Sequence, residues 1–261
     1  IDFVPNHTSS EHPWFQDAIS RPDSEKRNYY IWRKPAEGGG VPNNWVSLFG
    51  GSAWEYDQRS GEYYLHSFFK EQPDLNWENP AVREEMKNIL RFWLDLGVDG
   101  FRMDAVNHMA KDLEHFRDEP LREGGVEGTY DGHVRKYTKF GPQLVPYLKE
   151  LADVVESYSD KKIFFEAIVD GGLGSVAEQF RRLYDVNPRI AVPFNFGGMW
   201  LGWGAKEYGD YIREFQDMIN PNDISAYCFS NHDQPRIASR FGKQQARIIA
   251  MLALTLPGVP T

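Results

Sequence analysis

Apolar and polar residues along the chain alternate between two kinds of run. Short runs rich in β-branched and aromatic residues recur as IDFVPNH (1–7), VDGFRMDAV (98–106), KKIFFEAIV (161–169) and ISAYCFSNHD (224–233), with AVPFNF (191–196) a less regular one. Their length and composition predict β-strands. Between them, apolar residues return every three or four positions, the helical period. In NPAVREEMKNILRFWLDLG (79–97), Val82, Met86, Ile89, Leu90 and Trp93 form one face. Asn79 suits the N-cap, Pro80 the first turn and Gly97 the C-terminal stop. QLVPYLKELADVVESY (143–158) and KQQARIIAMLALTL (243–256) read as further helices. Apolar strands alternating with helices predict a parallel sheet covered on both faces, either an α/β barrel or a doubly wound sheet. Residues 8–77 interrupt this rhythm with an irregular stretch rich in Trp, Tyr, Gly, Pro and Asn.

Four of the predicted strands end in residues capable of chemistry: Asn6 and His7; Arg102 and Asp104; Glu166; His232 and Asp233. In either architecture the C-terminal strand ends gather on one rim, so these distant positions are expected to converge. Arg102 and Asp104 are two apart and should project from the same face of their strand. Three carboxylates without a Ser or Cys nucleophile suit glycoside hydrolysis, in which two carboxyl groups flank the bond. The cation beside Asp104 is expected to hold it ionised, as a nucleophile requires. Glu166 lies among Phe164, Phe165, Ala167 and Ile168, a setting that raises a carboxyl pKa and suits a proton donor. Trp45, Phe49, Trp54, Tyr63, Tyr64, Phe68, Phe69 and Trp77 offer flat surface for sugar rings or fill the core of a small subdomain. The competing chemistry is a metal hydrolase, with His7, His232, Asp104 and Asp233 as ligands. Against it, H-x-x-x-H and H-x-H spacings are absent, and Arg102 would repel a cation; no metal or cofactor is expected.

Composition narrows the classes further. The 261 residues carry a net charge of -9 and no Lys/Arg-rich run, which argues against a nucleic-acid partner. The longest apolar run, IIAMLALTLPGVP (248–260), is broken by Pro257 and falls short of the ~18 residues that span a bilayer, so no membrane partner is expected. The single cysteine, Cys228, allows no intrachain disulfide and favours a cytoplasmic setting. AEGGGVPNN (36–44) lacks the lysine of a phosphate loop and reads as an exposed turn. His108 and His115 read as surface or loop residues. Both ends of the chain read as interrupted core elements, and the expectation is an excerpt of a longer protein.

DFVPNH (2–7), GFRMDAVNH (100–108), FFEAI (164–168) and FSNHD (229–233), in this order, resemble the four motif regions of the α-amylase superfamily of glycoside hydrolases. QPDLNW (72–77) resembles its fifth motif. HPWF (12–15), YYIWR (29–33) and PNNWVSLFGGSAWEYD (42–57) are similar to its α-glucosidase and oligo-1,6-glucosidase branch. The resemblance implies a (β/α)8 TIM barrel, present from about strand 3 to the start of strand 8. It also implies a subdomain inserted after strand 3: residues 1–7 and 77–261 would belong to the barrel and 8–76 to the insertion. Asp104 would be the nucleophile, Glu166 the acid/base and Asp233 the third carboxylate. His7, Arg102 and His232 would contact the glucose unit, and Phe49 and Phe68 would line its pocket. Ala105, directly after the nucleophile, and Asn107 would shape the leaving-group side. The calcium loop of some relatives would lie before residue 1. Glu166 departs from the common pattern in following Phe165 rather than Gly and in leading into AIVDGG.

The reading is a retaining, exo-acting α-glucosidase that takes short oligosaccharides or disaccharides and prefers α-1,4 bonds, through a covalent glucosyl intermediate. An α-1,6-glucosidase, or a transglucosylase or isomerase, would use the same site. A non-catalytic amylase-like accessory domain is disfavoured, because all three carboxylates are present.

Overall fold

The computed structural model describes residues 1–169 and 175–261. It contains a four-stranded parallel sheet built from β1 (Asp2–Phe3), β5 (Gly100–Met103), β6 (Lys162–Phe165) and β7 (Ala191–Pro193), in that spatial order. A parallel bridge from Asn195 to Tyr227 carries the sheet on to β8 (Ala226–Tyr227), which pairs with β9 (Val259–Pro260). Strands that follow one another in space in sequence order, with helices between, are the arrangement of a (β/α)8 barrel, of which this chain forms a part. All five predicted strands are present but shorter than their apolar runs.

Burial alternates strictly along β5 and β6. Phe101, Met103, Ile163 and Phe165 face the helices and are buried to within 1%. Gly100, Arg102, Lys162 and Phe164 occupy the other face, as a pleat of period two demands. Against the apolar face pack α2 (Pro80–Asp95) and α3 (Leu144–Glu156), which also touch each other. Asn79 caps α2 by accepting from the Ala81 N–H at 2.9 Å, and Gly97 takes φ +92° just beyond its end, where a side chain would be strained. The buried stripe of α2 is Val82, Met86, Leu90 and Leu94. Trp93 was expected on this stripe but is 39% exposed: the strict four-residue spacing turns position 93 outward. A second interior cluster joins α4 (Val176–Tyr184), α5 (Ala205–Met218), β8 and α7 (Lys243–Thr255) through Phe180, Tyr208, Phe215, Tyr227 and Ile249.

Between β1 and α2 lie helix α1 (Pro13–Ser20) and a three-stranded antiparallel sheet, ordered β2 (Trp32–Arg33), β4 (Glu62–Leu65), β3 (Trp54–Asp57). Phe15, Tyr30 and Tyr64 join the main interior cluster, whereas Ile31, Trp45, Trp54 and Leu65 form a smaller one that also contains Tyr137. The stretch is therefore welded to the barrel side by shared aromatic packing. Among the described residues no helix is long and apolar enough to cross a membrane. Cys228 is buried beside Thr261, and burial pushes its thiol up to about 11, so it stays protonated and unreactive.

Gly100 pairs with Lys162 across β5 and β6, and a Cβ at Gly100 would lie far inside van der Waals contact of the Lys162 carbonyl. Backbone cannot yield there without opening the ladder that carries Asp104 and Glu166. Gly100→Ala is expected to cost ~1–3 kcal/mol, the range for overpacking, read as a lower denaturant midpoint in the full-length protein. An unchanged midpoint would show that the two strands have room to part.

Candidate active site

Strand register brings the first carboxylates together. Asp2 pairs with Arg102, Phe3 with Met103, and Met103 with Phe165. Asp104 and Glu166 each follow a paired residue, so they leave the sheet side by side on neighbouring strands. Backbone bonds continue past the strand ends: Asp104 N–H donates to Phe3 O (2.9 Å), Glu166 N–H to Met103 O (2.9 Å) and Val106 N–H to Glu166 O (3.0 Å). Adjacent strands run ~4.8 Å apart, so the two side chains start from neighbouring backbones.

Arg102 is the hub. Its Nη2 lies 3.1 Å from Asp104 Oδ1 and also forms an ion pair with Glu166 Oε2; its Nη1 is 3.2 Å from Asp2 Oδ1. The same-face expectation for Arg102 and Asp104 holds. The expected direction of the Asp104 pKa does not: burial pushes this carboxyl up, outweighing the pull of Arg102 and His7. Asp2 and Asp233 push in the same upward direction, so the charge of Asp233 reaches Asp104.

Ala105 adopts φ 48°, ψ 36°, the left-handed region, and turns the chain from β5 into a short 3-10 segment at Val106–His108. Asn107 is only 2% exposed, and its carbonyl accepts from Phe140 N–H at 2.8 Å. His108, expected at the surface, is 5% exposed. Its ring packs 5.1 Å from Phe68, and burial with Lys139 and Lys111 nearby drives its pKa well below the usual histidine value.

His7 sits past the end of β1, bridged to Asp74, with its ring 5.2 Å from that of Phe68. Burial keeps its pKa low despite the attraction of Asp74 and Asp104. Beneath it lies a buried ion pair that the sequence did not advertise. Lys111 Nζ is 2.7 Å from Asp74 Oδ2 and donates to Asn6 Oδ1 at 2.9 Å and to His108 O at 2.5 Å. Asn6 Nδ2 donates to Asp74 Oδ1 at 3.0 Å, and Ser67 donates from N–H (3.0 Å) and Oγ (2.5 Å). Asp74 belongs to QPDLNW, the available clue; Lys111 had none.

Of the aromatic residues, Trp45, Trp54, Tyr64 and Trp77 are buried core, with at most 7% exposure. Phe49 and Phe69 stand exposed and stack at 4.1 Å, with Phe68 next to Phe49 at 6.1 Å. His232 and Asp233 lie beyond β8, exposed, with His232 Nε2 3.4 Å from Asp233 Oδ1. The loop expectation drawn from AIVDGG (167–172) falls in part on residues 170–174, outside the described residues. Among the described residues no cluster of three or more His, Cys, Asp or Glu could hold a metal ion. The arrangement presents three carboxylates, Asp2, Asp104 and Glu166, sharing one cation, with Asp233 within electrostatic reach, a neutral histidine and an exposed aromatic wall.

The family description "Alpha amylase, catalytic domain" matches residues 1–261. The chain is 39% identical over 265 residues to an α-glucosidase of Culex pipiens, covering 99% of this chain and 45% of the relative. It is 37% identical over 280 residues to an oligo-1,6-glucosidase of Parageobacillus thermoglucosidasius, covering 100% and 48%. Among solved structures, an α-glucosyl transfer enzyme superposes with a TM-score of 0.87 at 30% identity, covering 99% of this chain and 50% of that one. The chain spans about half the length of the relatives it matches. On the family match over residues 1–261 and the likeness to solved structures, the chain belongs to the α-amylase family and forms part of its catalytic (β/α)8 domain.

Proposed function

We propose that this chain supplies the catalytic residues of a retaining, exo-acting α-glucosidase that hydrolyses short α-glucosides. The observation that carries the reading is the single guanidinium nitrogen of Arg102 shared by Asp104 and Glu166. Asp104 attacks the anomeric carbon while Glu166 gives its proton to the departing glycosidic oxygen. The bond to the leaving sugar breaks and a glucosyl ester forms on Asp104. Glu166, now a base, takes a proton from water, which attacks the same carbon and restores Asp104. Asp233 holds sugar hydroxyls and stabilises the developing positive charge. His7, Arg102 and His232 contact the glucose unit, and Phe49 and Phe68 form its wall. Residues 8–76 act as the inserted subdomain that supplies that wall, and residues 1–7 and 77–261 as barrel. A cytoplasmic setting belongs to the same proposal, on the reduced, buried Cys228. Transfer of glucose to a second sugar is the alternative, favoured by the likeness to an α-glucosyl transfer enzyme. It differs in whether water or a sugar hydroxyl meets the intermediate.

The α-1,4 preference rests on Ala105. Its left-handed backbone adds a second constraint, because a β-branched residue is strained there. In Ala105→Val, kcat/KM should fall for maltose and isomaltose alike, while their ratio shifts towards isomaltose. The ratio cancels the shared backbone cost. Wild type is expected to favour maltose, by the ~1–3 kcal/mol that small steric differences give. A wild-type preference for isomaltose, or an unmoved ratio, contradicts this role.

In the full-length protein, Asp104→Asn should abolish turnover of an aryl α-glucoside. Since the folded-state pKa of Asp104 is raised, its ionised form opposes folding above that pKa, and stability rises as pH falls through it. The Asn variant should therefore melt no lower than wild type at pH 7. Its advantage should shrink as pH falls through that raised pKa, where wild-type Asp104 takes up its proton. Near-wild-type hydrolysis would remove Asp104 from the nucleophile role, and a lower Tm at pH 7 would show that its pairing with Arg102 outweighs burial.

Glu166→Gln should lose ~10²–10⁴ in kcat, the usual worth of general acid catalysis. The loss should be smaller for substrates whose leaving groups need no proton. Equal losses across a leaving-group series would argue against Glu166 as the acid.

A further inference from the structure

Both ring nitrogens of His7 face an amide nitrogen. Nδ1 is 3.3 Å from Asn6 Nδ2, and Nε2 is 3.0 Å from Gln72 Nε2. An amide nitrogen donates and does not accept, and a neutral imidazole has one acceptor nitrogen. The two contacts therefore compete for one lone pair. Whichever amide is anchored more firmly decides which ring nitrogen carries the proton.

Asn6 is fully buried. Its oxygen accepts from the Lys111 ammonium at 2.9 Å, and its nitrogen donates to the Asp74 carboxylate at 3.0 Å. Hydrogen bonds to charged partners are shorter and roughly twice as strong as neutral ones. Turning this amide over would set its NH2 against an ammonium and its oxygen against a carboxylate. Asp74 cannot move away, since it is held by Lys111 and by two bonds from Ser67. Gln72 has no comparable anchor. Its oxygen takes one neutral N–H, that of Phe69, at 3.1 Å on the exposed side of the loop. Water can replace that partner, so a half-turn of the Gln72 amide costs little and offers its oxygen to His7.

We propose that Asn6, locked by Lys111 and Asp74, holds His7 as the neutral tautomer with its proton on Nε2, and that Gln72 turns its amide oxygen to that proton until a ligand oxygen replaces it. Lys111 and Asn6 are then positioning residues: neither touches the ligand, and both act through the His7 ring. Gln72 is an internal stand-in for the ligand. The charged groups that face His7 are Asp74 and Asp104, which favour its protonation, and Lys111, which opposes it. Burial outweighs the two carboxylates, and the ring stays neutral at pH 7. The ligand group that displaces Gln72 must be a hydrogen-bond acceptor, and on the reading proposed above it is an oxygen of the glucose unit. Only that last identification rests on the glucosidase reading.

The test is the imidazole 15N spectrum of the full-length protein, labelled at histidine, at pH 7. A ring nitrogen that carries a proton is well separated in shift from one that does not, and the His7 signals are those lost in His7→Gln. The expected result is a protonated Nε2 and a bare Nδ1, unchanged in Gln72→Glu, whose carboxylate only accepts. In Asn6→Asp the new carboxylate beside Nδ1 should draw a proton onto that nitrogen. A proton on Nδ1 in the wild type, moving to Nε2 in Gln72→Glu, would overturn the proposal by showing that Gln72 sets the tautomer. The spectrum reads no turnover, so failure of the glucosidase reading would leave this result standing, and the reverse.

Discussion

Three carboxylates converge on one guanidinium. Asp104 and Glu166 emerge from neighbouring strands in register, and without a cation between them their charges would repel at close range. Arg102 is the residue that lets both stand there. Its side chain is 21% exposed and those of Asp104 and Glu166 are 26% and 13%, so the cluster is neither a surface pair nor fully dry. Surface pairs contribute little, and fully buried ones are costly to desolvate. At this intermediate depth Arg102 restrains Asp104 without overcoming burial, and the carboxyl keeps a raised pKa. Asp2 takes the remaining arm of the guanidinium and fixes the plane in which it meets the other two.

A second buried charge pair supports the opposite wall. Lys111 and Asp74 are 2% and 0% exposed, and between them they engage Asn6, Ser67 and the His108 carbonyl. One strand end, the loop after β5 and the end of the irregular stretch are thereby clamped together directly beneath His7. Loss of either partner would leave an unpaired charge in the interior, among the most destabilising changes available to a fold. The aromatic wall of Phe49, Phe68 and Phe69 is carried by the same stretch, so the clamp sets where that wall stands relative to the carboxylates.

Much of this was legible because strands and helices leave simple periods in a sequence. Asn79, Pro80 and Gly97 punctuated α2, and the rim residues stood at the ends of apolar runs. The convergence of Arg102, Asp104 and Glu166 followed from parallel strands alone. What stayed hidden depended on side-chain contacts across long separations. Lys111 is 37 positions from Asp74 and sits in no periodic run, so nothing marked it as buried. His108 looked like a surface or loop residue, because the left-handed turn at Ala105 that tucks it inside has no signature when the residue is not glycine. Helix α4 could have been found: Ser175 accepts from the Glu178 N–H, and Ser-x-x-Glu before an amphipathic run is a capping signal. Trp93 was placed on the buried face by a mixed three- and four-residue spacing, where the strict four-residue stripe runs through Leu94 instead.

A nucleophilic Asp104, paired through Arg102 with Glu166, becomes covalently glucosylated during turnover. Full-length protein incubated with a fluorinated α-glucosyl fluoride that turns over slowly, then digested and examined by mass spectrometry, tests this directly. One glucosyl adduct is expected, on the peptide of β5 and at Asp104, with product of retained configuration when turnover resumes. An adduct on Glu166 or Asp233, or product of inverted configuration with no adduct, would contradict it.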